Sequence, residues 1–183
     1  DFNSSYICIS GSSAVGKASK SIEEVINVYV KLVRAIQKNF PDKNIFLVEV
    51  CEGDSFLNEV GKVTNTGVIS IDTPIIAAGK ILANADAYIS GRYHPAILAS
   101  LGGTPCVFMS SNSHKTKSLQ ELLEYDFIHE YYVLPSDQEI LDMVERTKYI
   151  LSLGSELRIK IKNKCNDLSN QSNSMVEVLK NKD

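Results

Sequence analysis

The chain has 183 residues, 44% of them hydrophobic, with 19 Lys and Arg against 22 Asp and Glu for a formal net charge of -3. That length and composition suit one compact domain with a real core, and the basic residues are scattered except in "RIKIKNK" near the C-terminus, so no broad face invites a nucleic-acid backbone. No apolar run approaches the roughly 20 residues that cross a bilayer, and the N-terminus lacks the basic and apolar regions of a secretory signal, so the chain as given reads as soluble, with no transmembrane segment.

Cys8, Cys51, Cys106 and Cys165 are too widely spaced for a disulfide framework or a metal site, and they read as reduced thiols of a cytoplasmic protein. The chain opens on Asp1 rather than Met, directly before a strand pattern, which suggests a piece cut from something longer.

In chain order, short apolar runs rich in β-branched residues occur at "YICIS" (6–10), "IFLVEV" (45–50), "GVISI" (67–71), "AYIS" (87–90), "CVFMS" (106–110) and "YYVL" (131–134). Each reads as a buried strand of a parallel sheet. Between the first two, Ile22, Val25, Ile26, Tyr29, Val33, Ile36 and Phe40 recur at helical spacing behind a capping box of Ser21 and Glu24. "TPIIAAGKILANA" (73–85) and "HPAILASLGG" (94–103) each place a proline, Pro74 and Pro95, at an expected first helical position. Ser136 and Glu139 form a second capping box before "EILDMVERTKYIL".

Strands alternating with helices need crossover connections, so the order predicts an α/β fold: a doubly wound parallel sheet of about six strands with helices on both faces. Residues 1–153 form that domain; residues 154–183 read as a long polar helix or helices with a Ser/Asn-rich middle, docking either on the domain or on a missing part.

The loop after the first strand, "SGSSAVGKASKS", follows the phosphate-loop pattern from Gly11 to Lys17, but Ala18 stands where a magnesium-binding hydroxyl is needed, and the helix starts late, near Ser21. Nucleotide hydrolysis is therefore disfavoured. Two readings stay open: Ser12, Ser13, Gly16 and Lys17 hydrogen-bond an anionic group at the ligand edge of the sheet, or the loop is merely solvated.

The densest chemistry lies in "ADAYISGRYHPAILASLGGTPCVFMSSNSHKTKSLQELL" (85–123), where a strand delivers Gly91, Arg92, Tyr93 and His94 at its carboxyl end. Arg92 can grip a carboxylate or phosphate, and His94 can give or take a proton near neutral pH. The competing reading makes His94 a helix cap and Arg92 the partner of a surface acid. Gly102, Gly103 and Pro105 read as a helix stop and turn, His129 as structural, and His114 as a weak candidate in an exposed loop.

"SGRYHPAILASLGGTPCVFMS" resembles the Arg-x-His segment of the polysaccharide pyruvyl transferase family, and "HKTKSLQELL" is similar to that family's Lys-containing loop, with Lys115 as the match. The resemblance covers residues 85–123 closely and does not take in the opening loop. It implies the C-terminal, Rossmann-like half of a GT-B two-domain enzyme that moves the enolpyruvyl unit of phosphoenolpyruvate onto a sugar of a cell-surface polysaccharide, forming a pyruvate ketal. The implied partners are phosphoenolpyruvate, a saccharide acceptor and an N-terminal half of the same chain. The implied roles are catalytic for His94 and Arg92 and donor-binding for Arg92, Gly91 and Lys115, with no metal or cofactor and action in the cytoplasm or at the inner face of the membrane. Two alternatives remain: a glycosyltransferase half that binds a nucleotide sugar, disfavoured because "HPAILASLGG" lacks an acid at its start, and a non-catalytic binding module.

Overall fold

A computed structural model describes residues 4–180, with side chains through residue 173. Five parallel strands, β1 (Tyr6–Ser12), β2 (Asn44–Val48), β3 (Gly67–Ile69), β4 (Ala87–Gly91) and β5 (Cys106–Phe108), form one sheet in the order β3-β2-β1-β4-β5. Every residue of β1, β4 and β5 is buried, as expected of strands covered on both faces.

Eight helices accompany the strands among the described residues: α1 (Val15–Ala18), α2 (Ile22–Asn39), α3 (Phe56–Thr64), α4 (Ile75–Asn84), α5 (Tyr93–Leu101), α6 (Lys115–Leu122), α7 (Asp137–Ser152) and α8 (Gly154–Lys180). α2 packs against α3 and α7, while α5 packs against α4 and α8, which gives the expected helical layers on both faces.

The sheet has five strands where about six were expected. The run 131–134 contributes a single bridge, Tyr131 beside Met109. Tyr131 N donates to Phe108 O at 2.9 Å and Ser110 N to Tyr131 O at 2.7 Å, and the ladder goes no further.

Both prolines sit one or two places from their predicted positions. α5 starts at Tyr93 with Arg92 as its N-cap, so Pro95 is the third helical residue, still in the first turn where an N–H has no intrahelical acceptor. Pro74 is the N-cap of α4 rather than its first residue. Ser21 caps α2 by accepting from Glu24 N at 3.2 Å, whereas Glu24 reaches back to Lys20 N at 2.9 Å, one residue earlier than a capping box requires. The box at Ser136 and Glu139 is complete. α5 stops at Gly102, and Gly103 adopts φ +82, a left-handed conformation open to glycine.

The amphipathic face of α2 buries Val25, Tyr29, Val33 and Ile36, but Ile22 is 58% exposed and stands outside the core. α8 packs through Leu157, Ile161 and Cys165, and its helix is described to Lys180; residues 1–3, Asp1 among them, and 181–183 lie outside the described residues. No helix among the described residues is long and apolar enough to cross a membrane.

Candidate active site

In an open doubly wound sheet the ligand crevice lies where strand order reverses, outside the carboxyl ends of the two central strands. Here that point falls between β1 and β4, at the pairing of Ser12 with Gly91. Gly91 is required there because a Cβ would collide with Ser12 and the Ser110 carbonyl. The Ser12 hydroxyl is committed to the fold, donating to Ser110 O and accepting from Ala14 N at 3.1 Å. Beside it, the Ser13 hydroxyl accepts from Asn112 N at 3.1 Å, so the loops after β1 and β5 are tied twice across β4.

The chain leaves β4 through a buried hydroxyl network. Ser10 is 2.6 Å from both the Tyr88 hydroxyl and the Ser90 hydroxyl, and Ser90 accepts from Arg92 N at 2.8 Å. Burial is the chief cause that pushes the Tyr88 phenol above its ordinary pKa, so it serves as a neutral hydrogen-bonding group. The backbone at Arg92 is thereby fixed from beneath.

Arg92 turns its guanidinium onto Asp54, with Nη2 to Oδ1 at 2.6 Å and side-chain exposures of 14% and 0%. Burial works to lower the Arg92 pKa, but the Asp54 hydrogen bond and charge outweigh it, and the pKa is raised. Asp54 closes the short 3-10 turn Glu52–Asp54, and its second oxygen accepts from Val50 N at 3.1 Å. Gly11 makes room for it, since a Cβ at that position would strike the Asp54 carboxylate. One donor, Arg92 Nε, is buried without a partner.

Three adjoining hollows line this edge of the sheet. The largest, about 540 Å³, lies between the loop after β1 and the start of α2, with Cys51, Gly53, Arg92 and Asn112 on its far wall. The second, about 300 Å³, collects Arg92, Tyr93, His94 and Lys115 with Ser13, Ser111 and Asn112. The third, about 240 Å³, is mainly aliphatic and meets the second at Val50, His94 and Pro95.

Arg92, His94 and Lys115 thus line one cleft. His94 is the second residue of α5 rather than its cap; it is exposed, with its ring 5.3 Å edge-on from that of Tyr93. Lys115 begins α6, and its Nζ lies 6.0 Å from the centroid of the Tyr93 ring. In the opening loop, Ser13 and Gly16 line the large hollow, whereas Lys17 lies exposed on α1 and Lys20 lines the hollow instead. His114 is the exposed N-cap of α6, and the His129 ring packs between Phe127 and Tyr131 while its backbone N–H donates to Gln120 Oε1 at 3.0 Å.

Sequence reading missed Asp54, which lies 38 residues before its partner in the polar stretch "CEGDSF". The one available signal was the glycine at position 11, near the end of a buried strand, where it can mark a close approach.

The family model "Polysaccharide pyruvyl transferase" matches residues 7–113, more than half of the chain. The chain belongs to the polysaccharide pyruvyl transferase family. The match takes in the opening loop, which the resemblance had left out, and it ends before Lys115. In this pyruvyl transferase family domain, Gly91, Arg92 and His94 all fall within the matched segment. No curated protein sequence matches the chain.

Among solved structures, a TarM mutant from S. aureus, in complex with fondaparinux, α-GlcNAc-glycerol and UDP, superposes with a TM-score of 0.51 at 15% identity over 89% of this chain. The pneumococcal O-GlcNAc transferase GtfA, in complex with UDP and GlcNAc, gives 0.50 at 16% identity over 95%. The chain spans 31% and 36% of the length of these two proteins. At such identity the likeness supports a GT-B-like fold and nothing further.

Proposed function

We propose that this domain is the donor-binding half of an enzyme that transfers the enolpyruvyl unit of phosphoenolpyruvate to a saccharide as a ketal. The observation that carries the reading is the convergence of Arg92, His94 and Lys115 on one cleft of about 300 Å³ at the carboxyl end of β4, in a chain of this family. Phosphoenolpyruvate is small and carries two anionic groups, which suits a compact cationic cleft.

Ketal formation adds two acceptor hydroxyl oxygens to C2 of the donor, breaks the C2–O bond to phosphate and turns the methylene into a methyl. Of the two hydroxyl protons, one is balanced at the methylene carbon and one on the departing phosphate. Arg92, braced by Asp54, holds the anionic donor; Lys115 balances charge as phosphate leaves; His94 carries a proton between hydroxyl and donor. Nothing in this scheme calls on a metal or a cofactor. Action in the cytoplasm, or at the inner face of the membrane, is part of the same proposal.

The test is phosphate release from phosphoenolpyruvate by the full-length protein with candidate saccharides. Sugar-dependent release by wild type, reduced at least 100-fold in Arg92→Ala and His94→Ala with circular dichroism unchanged, supports the reading; a positioned proton carrier alone is worth about that much. Absence of release with every acceptor, together with binding of a nucleotide sugar, transfers the domain to the glycosyltransferase alternative.

A further inference from the structure

The geometry points to a donor range wider than phosphoenolpyruvate itself: the aliphatic hollow of about 240 Å³ beside the donor cleft receives a small alkyl group on the donor's methylene carbon, so C3-alkylated enolpyruvyl units are transferred as well. The inference rests on the pyruvyl-transfer reading and adds a second class of donor to it. Val50, His94 and Pro95 line both hollows, so the two meet at the side chain that carries the proton.

Charge decides which end of the donor points where. Phosphoenolpyruvate has two anionic groups, a carboxylate and a phosphate, and one apolar end, its C3 methylene. Arg92 and Lys115 line the donor cleft, and neither lines the aliphatic hollow. That hollow has no lysine or arginine in its wall and one acid, Glu49, whose carboxylate accepts from the Asn58 side-chain amide and from Ile71 N at 3.4 Å. An anion placed there meets a like charge and an aliphatic wall, so both anionic groups stay with Arg92 and Lys115 and the methylene turns toward the hollow. Beyond it the wall is formed by Val50, Ile71, Leu82, Pro95 and Leu98, with the short side chain of Ala78 on α4 leaving room. Phosphoenolpyruvate has no carbon to place in that space. A methyl group on C3 does, and each methylene equivalent removed from water favours binding by up to about fourfold.

Transfer of such a donor follows the same course. Two acceptor hydroxyl oxygens bond to C2, the C2–O bond to phosphate breaks, one hydroxyl proton goes to C3 and the other to the departing phosphate. With a methyl group on C3, the ketal carries an ethyl group where pyruvate leaves a methyl.

The test gives the full-length protein phosphoenolpyruvate and, separately, the E and Z isomers of its C3-methyl analogue. Binding is read by calorimetry, and transfer as saccharide-dependent phosphate release with a product one CH2 heavier by mass spectrometry. At least one isomer is expected to bind as tightly as phosphoenolpyruvate or tighter, and to be transferred with a kcat/KM within about tenfold of it. Ala78→Phe fills the hollow from α4 and is expected to weaken that isomer at least tenfold, with phosphoenolpyruvate within about twofold of wild type and circular dichroism unchanged. Ile75→Trp narrows the same hollow from a position 72% exposed and serves in its place if Ala78→Phe does not fold. Transfer from phosphoenolpyruvate with both isomers rejected, or a filled hollow that acts on both donors alike, overturns the wider donor range and leaves pyruvyl transfer standing. Absence of saccharide-dependent phosphate release from all three compounds overturns the pyruvyl-transfer reading, and this inference with it.

Discussion

Asp54 and Arg92 form an ion pair at the floor of the site, with the carboxylate fully buried and one guanidinium donor unpaired. Such pairs contribute little net stability, yet loss of one member strands a buried charge at a cost of about 3–5 kcal/mol. Asp54→Ala is expected to lose about that much in urea unfolding, and the double variant Asp54→Leu with Arg92→Met to recover most of it. A loss below about 1 kcal/mol would place the pair with ordinary surface ion pairs. Thiol chemistry gives a second prediction at this scale. Burial pushes the Cys8 thiol up and is the largest influence raising Cys106 to about 12, while Cys165 is 8% exposed. Cys51 is half-buried on the wall of the large hollow. Iodoacetamide at pH 8 is expected to modify Cys51 in the native protein and the other three only after denaturation, as counted by mass spectrometry. Arg92 and His94 were legible in the sequence because a buried strand running into a helix fixes which residues emerge at its end. Asp54 was not, because its polar surroundings read as a surface turn until the fold sets it beneath Gly11.

The starts of α2, α4, α5 and α7 were legible to within two residues, since capping and proline chemistry are local, whereas α3, which has no side-chain cap, was not anticipated. The shrinking of the strand expected at 131–134 to one bridge was not, because how far a ladder runs depends on the path of the partner chain rather than on the apolar pattern of the run. Burial works to raise the Glu139 pKa, but hydrogen bonds from the Ser136 and Tyr132 N–H groups outweigh it and the pKa is lowered. A depressed folded value means that Glu139 stabilises α7 fully above the usual 4.5 and loses that contribution as pH falls through the folded value. Ser136→Ala is expected to cost about 1 kcal/mol. Glu139→Gln should lower stability at pH 7 and flatten its decline on acidification, both measured by thermal unfolding as a function of pH. Between β1 and β4, Gly91→Ala forces a methyl against Ser12 and the Ser110 carbonyl. The expected loss is about 1–3 kcal/mol in chemical denaturation, because neither neighbour is a flexible chain end.

Besides its apolar contacts, the last helix is tied to the ends of α4 and α5, in one helical layer, by an arginine. Arg158 donates to the carbonyls of Ala85 at 2.6 Å and Ala83 at 3.1 Å, closing the end of α4, and lies 3.4 Å from Gly102 O at the end of α5. Arg158→Ala leaves these carbonyls without their charged donor, and each such hydrogen bond is worth about 1.5–3 kcal/mol. The expected readout is faster amide exchange along α8 with little change in the central strands. The alternation of strands and helices made the two-layer plan legible from sequence, whereas the docking of α8 was not, because its apolar residues are sparse and its strongest tie is to backbone. The double tie between the loops after β1 and β5, Ser12 to Ser110 and Asn112 to Ser13, has a consequence for how such a site can diversify. A one-residue insertion between Ser12 and Ser13, or between Ser110 and Asn112, moves the second tie out of register with the first. New ligand preferences are therefore expected to arise by exchange of side chains along the rim, at positions such as Ser19, Ile22 and Lys115, while the two loops keep their lengths.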